Sequence, residues 1–122
     1  MQEGTYLAPG GYEAARRLLD LSQRPTAIFA SNDLSAMGAM DAIWDQGLSI
    51  PEDISILGFD DIPQASLIRP HLTTVRLPLE EMGRLATRTL LEHINDSERV
   101  AQRITLATEL IIRDSCQPPN RA

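Results

Sequence analysis

Two short apolar runs in this chain end in polar side chains that could hold a hydroxylated ligand. Thr26-Ala27-Ile28-Phe29-Ala30 leads into Ser31-Asn32-Asp33, and Ile54-Ser55-Ile56-Leu57-Gly58 leads into Phe59-Asp60-Asp61. If the runs are neighbouring parallel strands, Asn32 and Asp60 arrive at one edge of the sheet, beyond the carboxyl ends where open α/β sheets bind ligands. An amide beside a carboxylate can donate to and accept from adjacent hydroxyls, which suits a sugar or another polyol. Tyr6, shortly before the first helical stretch, could add an aromatic wall. Each group also has a plainer reading. Asn32 and Asp33 are good helix N-caps, Asp60-Asp61 ahead of Ile62-Pro63 forms turns, and Tyr6 near a terminus suits the surface.

The pattern supplies elements to position these groups. After Pro9-Gly10-Gly11, the residues Tyr12, Ala15, Leu18, Leu19 and Ser22 recur at helical spacing among Glu13, Arg16, Arg17 and Asp20, until Pro25 stops them. The run at 26–30 is continuous instead of alternating, which predicts a strand buried on both faces. Leu34 to Gln46 reads as a helix with Met37, Met40, Ile43 and Trp44 along one stripe (core or interface positions) and Gly47 as its C-terminal cap. Ile50-Pro51-Glu52-Asp53 is a turn and 54–58 a second strand, so strand, helix and strand make a βαβ unit with a parallel sheet. A loop between Pro63 and Pro70 follows, with a single turn near Gln64 to Leu67. Thr73 to Arg76 is β-prone. Leu79 to Ile94 is a helix with Leu79, Met82, Ala86, Leu90 and Ile94 facing one way, ended by Asn95-Asp96-Ser97. A last strand is predicted over Ile104 to Arg113, and the tail from Gln117 is expected to fray. The chain opens on a helix with no strand before it, so this α/β set reads as part of a doubly wound domain.

Composition removes several functions. The formal net charge is −6, which provides no general field for nucleic acid. All eleven basic residues are arginine, so a P-loop, a Schiff base and the lysine of a phosphoacceptor receiver are excluded. No Gly-x-Gly-x-x-Gly loop follows a strand, which leaves dinucleotide binding unsupported. Cys116 is the only cysteine, and His71 and His93 lie far apart with no nucleophile or carboxylate at a recognisable spacing. No metal, no cofactor and no enzymatic activity are therefore expected. No apolar run approaches the roughly 20 residues of a membrane span. Met1-Gln2-Glu3-Gly4 lacks the features of a signal peptide, so a cytoplasmic location is expected.

An ordered set of strings resembles the C-terminal half of the effector-binding domain of the lactose-repressor (LacI/GalR) family of transcription regulators. The set runs from Pro25–Asp33 through Ala36-Met37-Gly38-Ala39, Gly47–Ile62 and Pro70–Val75 to Glu109–Ser115, and the similarity extends from about Gly4 to Ser115. Such domains share the fold of type 1 periplasmic sugar-binding proteins: two α/β subdomains joined by crossovers, with ligand in the cleft. The resemblance implies an incomplete Rossmann-like, parallel-sheet subdomain, with residues 1–76 and 104–115 in the C-terminal subdomain. The helix at 79–95 would be one that packs on an N-terminal subdomain not contained in these residues. No helix-turn-helix headpiece and no hinge helix are matched.

The same resemblance implies roles. Asp60 matches the aspartate that binds effector hydroxyls, Asn32 the asparagine beside it, and Tyr6 an aromatic position against the ligand. Met37, Met40, Leu67 and Ile68 fall on the surface through which family members dimerise. Leu77 and Leu79 lie at a crossover where some members place polar or aromatic contacts, and here both are aliphatic. The implied partners are a sugar-like small-molecule effector, a second copy of the chain, and operator DNA reached only through the absent headpiece. The effector would change operator affinity by shifting the relative orientation of the subdomains. A periplasmic sugar-binding protein of a transporter is the alternative with the same fold. The apolar stripe on the helix at 79–94 is expected to dock against another copy or against the rest of a longer product.

Overall fold

The computed structural model describes residues 1, 5–96, 98, 100 and 102–119. Its elements are α1 (Ala8–Leu19), β1 (Ala27–Phe29), α2 (Asp33–Asp45), β2 (Ser55–Asp60), a 3-10 turn (Pro63–Ser66), β3 (Thr73–Arg76), α3 (Leu79–Asn95) and β4 (Glu109–Ile111). The chain divides into two compact units, Met1–Arg76 with Leu110–Ala122, and Leu77–Glu109. Ser97, expected to help end α3, lies outside the described residues.

The larger unit is built on a sheet of order β1-β2-β3-β4. The pairs β1–β2 and β2–β3 are parallel, with Phe29 opposite Leu57 and Leu57 opposite Thr73. The β1–α2–β2 unit expected from the sequence is present. Its core holds Met40, Ile43, Ile54, Ile56 and Leu72, all without exposed surface. Each such side chain contributes about 1.5–3 kcal/mol through burial.

α1 buries Gly11, Ala15 and Leu19, spaced four apart along one face, and packs on α2. The two helices meet at backbone distance. A Cβ on Gly38 would lie 1.8 Å from the carbonyl oxygen of Ala8, and one on Gly11 would lie 2.1 Å from that of Ser35. No side chain fits at either crossing, so glycine on each helix is what lets the other helix in. The hydroxyl of Tyr12 donates to Asp45 Oδ2 at 2.8 Å and joins α1 to the last residue of α2.

Three expectations need correction. β1 is not buried on both faces: it is an edge strand, and Phe29 is 63 % exposed. A continuous apolar run marks a strand but does not say whether another element covers its second face, and here the face of Ala27 and Phe29 is exposed. The last strand is shorter than Ile104 to Arg113. Only Glu109–Ile111 pairs, because the neighbouring β3 is four residues long and the alternating segment before Glu109 finds no further ladder. Met40, expected on the dimerising surface, is 0 % exposed within the chain itself and belongs to the core. Its place one turn beyond Ala36 puts it on the inward face of α2.

In the smaller unit, α3 is amphipathic but has no buried residue among those described. Met82, Ala86, Leu90, Ile104 and Leu106 line a hollow of about 450 Å³. Among the described residues no helix is long and apolar enough to cross a membrane.

Candidate functional site

The parallel register brings the expected pair to one edge. Phe29 lies level with Leu57, and Asn32 and Asp60 each stand three residues further on, at the carboxyl ends of adjacent strands. Asp60 is also level with Arg76 at the end of β3.

Asn32 is the N-cap of α2. Its Oδ1 accepts from the Ser35 amide at 2.8 Å, and its Nδ2 donates to the carbonyl oxygen of Tyr6 at 2.9 Å. The cap reading is therefore realised, and the same amide tethers Tyr6 to the site. One N–H and one lone pair remain for another partner. The Tyr6 side chain is 69 % exposed, and its backbone has φ 31°. Asn32→Ala should cost about 1 kcal/mol of stability through loss of the cap and should release Tyr6. Urea denaturation and the Tyr6 amide resonance would report the two effects separately.

Asp33, one residue on, is wholly buried. Its Oδ2 accepts from the Ile62 amide at 2.9 Å and its Oδ1 accepts from the Thr74 hydroxyl at 2.5 Å. A Cβ on Gly58 would stand 2.2 Å from Oδ1, so glycine there leaves the carboxyl room against the sheet. Asp33 thus ties α2 to β3 and to the turn after β2. By local sequence Asp33 is a cap residue beside Asn32. The missed signal is periodic: Asp33, Ala36 and Met40 share one helical face, and the other two are apolar.

The turn after β2 is strained. Asp60 has φ 111° and Asp61 φ 59°, two consecutive left-handed residues that are not glycine. Conformations of this kind cost about 1–3 kcal/mol each and persist where the surroundings hold them. Asp61 supplies much of that hold. Arg76 Nε donates to its Oδ2 and Arg113 Nη2 to its Oδ1, both at 2.6 Å. Arg113 also donates to the carbonyl oxygen of Leu72 at 2.7 Å. This triad links residues 15 and 52 positions apart, so spacing could not reveal it.

The two aspartates differ in their electrostatics. Burial alone would push the Asp61 carboxyl up, but the hydrogen bonds and charges of Arg113 and Arg76 hold it below the ordinary range. For Asp60, burial and then the negative charge of Asp33 push the carboxyl up. No hydrogen-bond donor reaches the Asp60 side chain from the described residues. A half-buried carboxylate without a donor, at a strand's carboxyl end, accepts from whatever hydroxyl arrives. Because the folded Asp61 titrates below its unfolded value, its ion pairs stabilise the fold above about pH 4 and are lost as pH falls through the folded value. Asp61→Asn should therefore be less stable than the parent at pH 7, and the gap should narrow steadily from pH 5 to 3 in urea titrations.

The expected dimerising residues divide by exposure. Leu67 is 72 % exposed, Met37 and Ile68 are half-buried, and Ile68 rests against the core. Leu34 and Trp44 add exposed apolar surface on the α2 face that carries Met37. His71 has a carboxylate partner that the sequence did not suggest: Asp114 Oδ2 lies 2.5 Å from its Nδ1, across 43 positions. Among the described residues no group of three or more His, Cys, Asp or Glu is placed to hold a metal.

Residues 2–116 match the family of periplasmic binding protein-like domains. The probable HTH-type transcriptional repressor ExuR of Bacillus subtilis (strain 168) is 45% identical over 113 residues, covering 93% of this chain and 34% of that protein. Among solved structures, the transcriptional regulator CelR in complex with cellobiose superposes with a TM-score of 0.87 at 34% identity, over 93% of this chain and 35% of that one. A LacI family regulator of Enterococcus faecium with bound ribose superposes at 0.80, also at 34% identity, over 93% of this chain and 42% of that one. The chain spans about a third of the length of curated relatives such as the Bacillus repressor (34%).

Proposed function

This chain belongs to the LacI/GalR family of transcriptional regulators, within its periplasmic-binding-protein-like effector domain, and we propose that it senses a sugar-like effector through Asp60. The observation that carries the reading is the Asp60 carboxylate: half-buried, without a donor among the described residues, and held in a strained turn at the carboxyl edge of a parallel sheet. Adjacent ligand hydroxyls donate to Asp60, the free N–H and lone pair of Asn32 reach a neighbouring hydroxyl, and the Tyr6 ring covers an apolar sugar face. Relatives that hold cellobiose and ribose support a carbohydrate as the ligand class.

In the proposed whole regulator, two copies associate through the α2 face and the segment at Leu67 and Ile68, with Met40 beneath. A DNA-binding headpiece outside these residues grips the operator in the cytoplasm. Effector shifts operator affinity only so far as it binds one state better than the other. The chain acts as a binder throughout, without chemistry on the ligand.

A thermal-shift screen of pentoses, hexoses and disaccharides at millimolar concentration tests the proposal. Ligand at about 100 times its Kd stabilises the native state by about 2.7 kcal/mol, so at least one sugar should raise the melting temperature by several degrees. A panel without effect on the folded protein, or the same rise in Asp60→Ala, would contradict it.

A further inference from the structure

We propose that Asp61 is a positioning residue for the effector contact: by bridging Arg76 and Arg113 it ties the turn that carries Asp60 to the two places where the chain leaves and re-enters the larger unit. Arg76 is the last residue of that unit before Leu77, and Arg113 follows soon after the return at Leu110. Each oxygen of the Asp61 carboxylate is taken by a different guanidinium, at 2.6 Å in both cases. Two charge-assisted bonds, one from β3 and one from the segment after β4, fix the carboxylate in plane and direction, which one exposed ion pair would not do.

Arg113 is itself pinned. Its Nη1 donates to the carbonyl oxygen of Leu72 at 2.7 Å and its amide to Thr73 Oγ1 at 3.0 Å, so the cation reaching Asp61 is registered on β3. From the other end, Asp33 holds the Ile62 amide. Residues 60 and 61, both at positive φ, are thus clamped between Ile62 and the Asp61 side chain. Nothing in this clamp uses the Asp60 carboxylate, which is left for a ligand while its backbone is fixed. This assignment rests on the reading of Asp60 as an effector contact.

The test uses the whole chain as Asp61→Asn and Arg113→Lys, with Asp60→Asn as the ligand control. The charged groups that face this turn include Asp33 from α2, Asp61 in the turn, Arg76 from β3 and Arg113 after β4. Arg113→Lys keeps all of them and loses only the forked geometry, so it separates position from charge. Without ligand, carbon-detected NMR follows the Asp60 carboxyl through a pH titration, and hydrogen exchange follows the Ile62 amide. In both variants the Asp60 midpoint should move by about 0.5 unit or more, and Ile62 should exchange about tenfold faster, while α1 and α2 keep their parent resonances. Parent-like Asp60 and Ile62 behaviour in both variants would overturn the proposal.

With D-ribose as the probe, calorimetry should show affinity falling about tenfold in Asp61→Asn and about tenfold to a hundredfold in Asp60→Asn. Ribose binding by Asp60→Asn at parent affinity would defeat the effector reading and leave the ligand-free measurements to decide on the clamp. Should Asp61→Asn fail to fold, Arg76→Gln, at the more exposed of the two guanidiniums, is expected to move both ligand-free readouts the same way and less far. No movement there would equally overturn the clamp.

Discussion

Gly38→Ala should lower the stability of the fold by about 3 kcal/mol or more, at the upper end of what an overpacked contact costs. The new methyl would lie 1.8 Å from the Ala8 carbonyl oxygen, 2.7 Å from its carbon and 2.9 Å from the Tyr12 nitrogen. All three are backbone atoms, so no side chain can swing aside and α1 itself must move off α2. That movement loosens Gly11, Ala15 and Leu19 together, the whole buried face of the helix. At about 4–8 °C per kcal/mol for a domain of this size, the melting temperature should fall by about 12 °C or more. Gly83→Ala on α3 is the matched control. Its methyl would meet nothing within 4 Å, so only helix propensity acts and local stability should rise by about 0.5–1 kcal/mol. Thermal melts and urea titrations of the two variants should shift in opposite directions.

Asp60→Asn should separate binding from stability. The carboxylate is the acceptor for ligand hydroxyls, and a hydrogen bond to a charged group is worth about 1.5–3 kcal/mol, so effector affinity should fall about tenfold to a hundredfold. Stability should hold or rise slightly. The Asp60 carboxyl titrates above its ordinary value because burial and Asp33 disfavour the charge. A raised folded value means that the ionised group is worse off folded than unfolded, so at neutral pH its charge subtracts from stability, and this penalty fades as pH falls through the folded value. Asparagine removes the charge, keeps the shape and tolerates positive φ. A variant that melts no earlier than the parent and binds far more weakly is the signature of a group kept for its ligand. Loss of stability in step with loss of binding would instead make Asp60 a structural residue.

Much of this arrangement could be read from residue order. The runs at 26–30 and 54–58 with a helix between them define parallel strands, and parallel strands bring whatever follows them to one edge. That logic places Asn32 beside Asp60 with no coordinates. What it could not supply is the division of labour among neighbouring polar groups. Asn32-Asp33 and Asp60-Asp61 are each two adjacent polar residues, and local propensity treats the members of each pair alike. The structure separates them by direction. Asp33 turns into the core and Asp61 toward two arginines, while no described residue donates to the Asp60 carboxylate.

The reasons for the remaining differences are physical as well. Exposure of one face of β1 depends on which elements pack over it, a long-range fact absent from a five-residue apolar run. The shortening of β4 depends on the length of its neighbour. Met40 and Met37 share a helix and a side-chain type, yet one packs in the core and the other is half-exposed, because three residues of rotation carry a side chain partway around the axis. The long-range pairs at Asp61 and His71 arise from tertiary closure, and a spacing rule sees only neighbours.

The most direct measurement follows the Asp60 carboxyl and the Asn32 side-chain amide by NMR while the sugar with the largest thermal shift is added. Both resonances should move along one saturable curve, with the Tyr6 ring responding in parallel and the methyls of Met82, Leu90 and Ile104 unmoved. Movement of those methyls with Asp60 and Asn32 still at their starting positions would place the ligand in the hollow of the other unit and contradict the reading of Asp60 as an effector contact.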